Sequence, residues 1–249
     1  MKLYLVGLGP GKWEGLTLEA MRACEESDVL AGYHVYLDLI RDRFPDKPLL
    51  TTGMRQEPER CRRAIEEVLS GKTVALVCSG DAGVYGMASL ALEIAQEYPP
   101  IEIEVVPGVT AALSGAALLG APLSHDFAVV SLSDLLTPWE TIERRLTAAA
   151  QADFALCLYN PASRHRPDNL RRACDILLRE KSPDTVCGLV RCIGREGESS
   201  RLMTLGELRD AEADMFTTVF IGNSETKAIG GRMVTPRGYH MKKPEAKQS

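Results

Sequence analysis

The chain has 249 residues, 45% of them hydrophobic and 25% charged, with a net charge of -5 at neutral pH. That describes a soluble globular protein with room for one large domain or two smaller ones. The acidic balance, with no basic tail, argues against nucleic acid as a partner. Seven cysteines without a CxxC pair fit reduced thiols better than a disulfide framework. Cys157, Cys174, Cys187 and Cys192 match no common metal-site spacing, so buried core thiols are expected and no metal.

Met1 to Gly7 is a short strand-like run that lacks the long apolar core of a signal peptide. It ends in Leu8-Gly9-Pro10-Gly11, where glycines let backbone approach a ligand closely. A dinucleotide fingerprint would need glycine at position 12, which is Lys12, and this disfavours a nicotinamide or flavin oxidoreductase. A helix capped by Thr17 follows, with Leu18, Met21 and Cys24 on one face, then a strand from Val29 to Ala31. Glu57 to Leu69 reads as an amphipathic helix with Cys61, Ile65, Val68 and Leu69 inward and its arginines outward. The strand Val74 to Cys78 stops at Ser79-Gly80-Asp81, and a glycine-punctuated turn leads into a helix from Met87 to Glu97. Asp81 at that edge suits a donor-rich partner, or else Ser79 or Asp81 caps the next helix.

The strand Ile101 to Val106 meets Pro107-Gly108-Val109-Thr110-Ala111 before a small-residue helix from Ala112 to Leu119. Pro107, Gly108, Ser114, Gly115 and Gly120 interrupt this apolar stretch and make it a poor membrane span, so a cytoplasmic protein is expected. Gly120-Ala121-Pro122 sets an expected boundary between an N-terminal α/β domain over residues 1–119 and a C-terminal one over 120–241. In the second half Phe127 to Leu132 reads as a strand, and Thr137 with Pro138 as the start of a helix. Strands over Phe154 to Leu158, Val186 to Val190 and Phe216 to Ile221 follow, with a helix over Asn169 to Arg179. The polar tail 242–249 is expected to be disordered. Alternating β and α elements argue for an α/β fold with a mostly parallel sheet covered on both faces.

Three loops share a form: Gly7 to Gly11, Ser79 to Gly83 and Pro107 to Ala111. In that order they resemble the cobalamin-type tetrapyrrole methylases. Within that family His125-Asp126-Phe127, the string Ser131 to Trp139, Tyr159-Asn160-Pro161 and Thr235 to Tyr239 are similar to the branch that methylates ring carbon 17. The resemblance implies two α/β domains with a ligand cleft between them, the class III methyltransferase fold. It also implies methyl transfer from S-adenosylmethionine to a tetrapyrrole, precorrin-3B or cobalt-precorrin-3, coupled to contraction of the macrocycle, and a homodimer. Carried over by matching positions, Pro10, Asp81, Val84, Thr110, Ala111 and Tyr159 contact the methyl donor, and Met203 and Thr218 complete the adenosine pocket.

A sulfonium methyl is already activated, so such an enzyme mainly positions it against a ring carbon and excludes water. His125, Asp126, Ser131, Ser133 and Asp134 are the candidates for proton handling at ring contraction. For His125 a structural hydrogen-bonding role stands beside the catalytic one. A polycarboxylate substrate needs cationic partners, for which Lys12, Arg55, Arg164, Arg166 and Arg191 are candidates, with solvated surface arginines as the alternative. A non-catalytic carrier, methylation at another ring carbon and a non-tetrapyrrole substrate are the remaining readings, and the Ser131 to Trp139 string speaks against the last two.

Overall fold

The computed structural model describes residues 1–53 and 55–239, so the tail expected over 242–249 lies outside the described residues. The chain divides into two compact units: Met1–Ser114 with Cys192–Glu198, and Gly115–Arg191 with the chain from Ser199 onward. Neither unit is a single run of sequence. The segment Cys192–Glu198 belongs with the first sheet although it follows most of the second.

The first unit holds β1 (Leu3–Gly7), α1 (Leu18–Glu26), β2 (Val29–Tyr33), α2 (His34–Leu37), β3 (Leu49–Thr52), α3 (Glu57–Leu69), β4 (Val74–Cys78), α4 (Ala88–Ala95) and β5 (Ile103–Val106). Its sheet has the order β3-β2-β4-β1-β5 with every pairing parallel. Buried on both faces, β1 and β4 are continuous apolar runs without polar alternation. Leu3, Leu5, Val74 and Leu76 pack with α3 and α4, whereas Tyr4, Val6, Ala75 and Val77 pack with α1. The connections leaving the adjacent strands β1 and β4 therefore run over opposite faces, and the carboxyl ends of these strands form a topological switch point, where open α/β sheets bind ligands.

Local signals account for several elements and mislead at others. Thr17 caps α1 as expected, its Oγ1 accepting from Ala20 N at 3.0 Å. Leu18 is exposed, and the buried face of α1 is Ala20, Ala23 and Cys24. In α3 the arginines do not all face outward: Arg60 is 3% exposed, and Leu69 faces solvent in its place.

The helix α5 (Ala111–Leu119) leads into the second unit, which holds β6 (Gly120–Ala121), β7 (Phe127–Ser131), α6 (Trp139–Gln151), β8 (Ala155–Tyr159), α7 (Asn169–Leu177), β9 (Val186–Arg191), β10 (Ser199–Thr204), α8 (Leu205–Leu208), β11 (Thr217–Ile221), β12 (Lys227–Ile229) and β13 (Arg232–Val234). Its main sheet, β10-β9-β11-β8-β7, is mixed: β7 and β8 are parallel, while β11 runs against β8 and β9, and β10 against β9. Pro138 itself occupies the cap position of α6 and no side chain caps that helix, so Thr137 is not its cap. Among the described residues no helix is long and apolar enough to cross a membrane.

Candidate active site

In the first unit the ends of β4, β1 and β5 lie side by side, and the loops that leave them are held together by backbone. Gly9 and Gly80 exchange two hydrogen bonds, N to O at 2.9 and 2.7 Å, and Leu8 N donates to Cys78 O at 2.8 Å. Gly9 and Gly80 have φ of 72° and 71°, a conformation that favours glycine. A Cβ on Gly108 would fall 2.1 Å from Gly80 O and 2.4 Å from Gly7 O, so no side chain fits there. Asp81 completes the knot. Its Oδ1 accepts from Gly83 N at 2.8 Å and Val84 N at 3.1 Å, and its Oδ2 accepts from Gly108 N at 3.0 Å. The donors that this carboxylate satisfies are backbone amides of its own loops, and it caps a turn rather than α4, whose cap residue Met87 makes no side-chain bond.

Pro10, Val84 and Thr110 lie on these loops and Ala111 is the first residue of α5 directly after them, so the structure brings the first-unit donor candidates to one sheet edge. Thr110 O accepts from Leu113 N and Ser114 N and starts α5. Lys12 is ion-paired with Glu198 at 3.1 Å. Arg55 is exposed before α3 with φ of 63°.

The segment Cys192–Glu198 carries a residue that the sequence reading did not single out. The Arg195 guanidinium donates from Nη2 to Ser79 Oγ at 2.8 Å and from Nε to Pro10 O at 3.4 Å. The Arg195 Cγ lies 2.8 Å from where a Cβ on Gly11 would sit, too close for a side chain at that position. Glu198 fixes the segment by accepting from Gly194 N at 2.6 Å. The available signal was the Gly-Arg-Glu-Gly string over residues 194–197, which follows the end of β9 with two residues between them.

In the second unit β7 and β8 end together, with Ser131 opposite Tyr159. Ser131 Oγ accepts from Asn160 Nδ2 at 2.9 Å and Ser133 N at 3.3 Å, and the left-handed φ of Asn160, 53°, turns its chain at the sheet edge. Arg166 donates to Ser133 Oγ, and to Ser163 Oγ at 3.2 Å, and its guanidinium is 3.7 Å from Asp134. Buried Asn169 holds Leu132 O at 2.8 Å. Ser131, Ser133, Asp134 and Arg166 thus form one polar network.

The remaining candidates are not gathered there. His125 and Asp126 are exposed at the start of β7, about 16 Å along the strand from Ser131. Asp126 N donates to His125 Nδ1 at 2.9 Å, a local structural role. Thr218 falls in the sheet row of Tyr159 and Val190, while Met203 pairs with Cys187 three rows away. Side chains alternate along strands, so Met203 projects to the opposite face, where it packs on the core under α6 and α7. Arg191 pairs with Asp214 at 2.8 Å, and exposed Arg164 lines an open groove of about 610 Å³ with Arg171 and Asp210. Six of the seven cysteines are buried, and among the described residues no group of three or more His, Cys, Asp or Glu is arranged to hold a metal ion.

The crystal structure of the methyltransferase CobJ matches this chain with a TM-score of 0.87 and 38% identity, over 94% of this chain and 98% of that one. The fold, an α/β chain built on two five-stranded sheets, is therefore of the class III methyltransferase type. A family model, the Tetrapyrrole (Corrin/Porphyrin) Methylases, matches residues 2–209, and the chain belongs to that family. It is 46% identical, over 95% of its length and 99% of the relative's, to the probable cobalt-factor III C(17)-methyltransferase of Salmonella typhimurium. Over 91% of each chain it is 41% identical to the precorrin-3B C(17)-methyltransferase of Sinorhizobium sp.

Proposed function

We propose that this chain is an S-adenosylmethionine-dependent C-methyltransferase of corrin synthesis that methylates ring carbon 17 of cobalt-precorrin-3, with precorrin-3B as the metal-free counterpart, and couples this to ring contraction. The observation that carries the reading is end-to-end similarity, at 46% identity, to a relative named for that reaction on a cobalt-containing substrate. The higher identity to it than to the precorrin-3B relative favours the cobalt form. The protein acts in the cytoplasm as a homodimer.

S-adenosylmethionine supplies an electrophilic methyl group on sulfur. The residues present suit it: the loops of β1, β4 and β5 offer mainly backbone N–H and C=O groups, which hold a polar ligand without attacking it. Cys78, at the end of β4, is no competing nucleophile, because burial pushes its thiol up to about 11 and keeps it neutral. Pro10, Val84, Thr110 and Ala111 line the donor site, with Asp81 shaping it. Tyr159 and Thr218 lie on one face of the second sheet, and Met203 packs on the core at its other face.

Catalysis in this reading is chiefly positioning and exclusion of water. Ser131, Ser133 and Asp134, oriented by Arg166, are the groups within the network that can hold or move a proton at ring contraction. His125 and Asp126 stand outside it. Calorimetric titration with S-adenosylhomocysteine, with NAD in parallel, tests the cofactor, and mass spectrometry of product formed from cobalt-precorrin-3 tests the reaction. Micromolar binding of S-adenosylhomocysteine alone and a mass gain of one methyl group support the reading. Binding of NAD without S-adenosylhomocysteine overturns it.

A further inference from the structure

We propose that Arg195, with Tyr36 beside it, forms a carboxylate-binding site at the carboxyl edge of the first sheet, a role that rests on the function proposed above. The guanidinium has two hydrogen-bonding edges. Its side edge, Nε and one N–H of Nη2, is taken by Pro10 O and Ser79 Oγ, both neutral acceptors on candidate donor loops. The end-on edge, Nη1 with the second N–H of Nη2, has no acceptor among the described residues, and Nη1 is not sealed from solvent. Among the described residues no carboxylate lies within ion-pairing distance of Arg195, although Glu198 of the same segment is committed to Lys12 and Gly194 N. A half-buried guanidinium with one edge fixed and the other open is preorganised for bidentate contact with a carboxylate.

The surroundings reinforce the charge. The Tyr36 ring lies 5.9 Å from the Arg195 guanidinium carbon, and the Tyr33 ring, 5.5 Å from that of Tyr36, lies 5.9 Å from that of Arg60. Arg60 is buried and bonded to Thr52 Oγ1 and Gly53 O, so it too lacks a carboxylate partner among the described residues. Two cations without counter-charge therefore flank one aromatic pair. An anion placed there gains from both. The structure does not build this corner by accident of a mobile side chain: Gly11 and Gly194 are glycines at which a Cβ would strike Arg195 or the Pro10 backbone.

The carboxylate has two sources in this reaction, the methionyl end of S-adenosylmethionine and a peripheral acetate or propionate of the macrocycle. The full chain and its Arg195→Gln, Arg195→Lys and Ser79→Ala variants separate them. Each is titrated calorimetrically with S-adenosylhomocysteine and then, saturated with it, by absorbance with cobalt-precorrin-3, alongside thermal unfolding. Arg195→Gln weakens one of the two ligands about tenfold or more, Arg195→Lys restores part of the loss, and Ser79→Ala, which frees the side edge, weakens the same ligand less. Loss confined to S-adenosylhomocysteine assigns the methionyl carboxylate, and loss confined to the tetrapyrrole assigns the macrocycle. Unchanged binding of both, or equal loss of both, overturns the inference while leaving the proposed function standing. If Arg195→Gln does not fold, Ser79→Ala decides by the same criterion. A wild-type chain that binds neither ligand overturns the proposed function, and this inference with it.

Discussion

Asp81 Oδ2 accepts a hydrogen bond from Gly108 N at 3.0 Å, which ties the loop after β4 to the loop after β5 across 27 residues of sequence. Replacing Asp81 by Asn keeps one acceptor but turns an amide NH2 toward Gly108 N–H, which leaves that donor unpaired at a cost of about 1–3 kcal/mol. Asp81→Asn is expected to lower the unfolding temperature and to weaken S-adenosylhomocysteine at least several-fold. Thermal melts and calorimetry check both, and a variant with unchanged affinity would remove Asp81 from the donor site.

Gly108→Ala tests the close approach of the three loops. The added methyl group meets backbone oxygens rather than yielding side-chain tips, so the loops must part. A loss of about 1–3 kcal/mol or more is expected, as for overpacking. Gly197→Ala is the comparison: nothing lies within 4 Å of its Cβ, and its cost arises only from φ of 79°. Denaturant melts of the two variants should rank Gly108→Ala as the more damaging, and binding loss should follow it alone.

Asn169 is 4% exposed and its Nδ2 donates to Leu132 O, so Asn169→Leu leaves a buried carbonyl without its partner. About 1–3 kcal/mol of stability should be lost. Leu132 lies between Ser131 and Ser133, so the KM for the tetrapyrrole should rise more than that for the methyl donor. Steady-state kinetics with each substrate varied in turn reads this directly.

The carboxyl of Glu198 is held below the usual glutamate value by the hydrogen bond from Gly194 N and then by Lys12. Its folded pKa is depressed, so its stabilising contribution is complete above the unfolded value of about 4.3 and is lost as pH falls through the lower folded value. Wild-type unfolding temperature should therefore drop more steeply than that of Glu198→Gln between roughly pH 5 and pH 3. Parallel slopes would show that Glu198 does not anchor its segment.

Thiol accessibility gives a simple count. Cys24, Cys61, Cys78, Cys157, Cys174 and Cys187 are buried, and burial raises each of their thiol pKa values, to about 12 for Cys24 and about 11 for Cys61. Cys192 is the partly accessible one. Ellman titration should find no more than one fast thiol in the native chain and seven in denaturant. More than one fast native thiol would mean that a core opens readily.

Much of the first unit is legible in sequence because its central strands β1 and β4 are apolar runs that give way to glycine loops. What those loops do to one another is not. The partner of Asp81 lies on a different strand's loop, and Arg195 reaches the same edge from a polar segment whose pattern carries no periodicity. Arg60 looks outward on a helical wheel, yet it is drawn inward by Thr52 Oγ1 and Gly53 O at the end of β3. In the second unit, a residue that begins a strand and one that ends it are close in sequence but on opposite edges of the sheet, which separates His125 from Ser131. Strand parity decides Met203 and Thr218, and it becomes visible only once the pairing of β9, β10 and β11 is known.

The late return of Cys192–Glu198 also sets an order of assembly on the ribosome. When residue 114 has been made, all five strands of the first sheet exist, but Arg195 and Glu198 are still some 80 residues from synthesis. At roughly 5–20 residues per second that interval lasts seconds, longer than a small sheet needs to form. The nascent first unit thus has its glycine loops in place before the clasp that covers them, and it acquires that clasp only after β7, β8 and β9 have been translated.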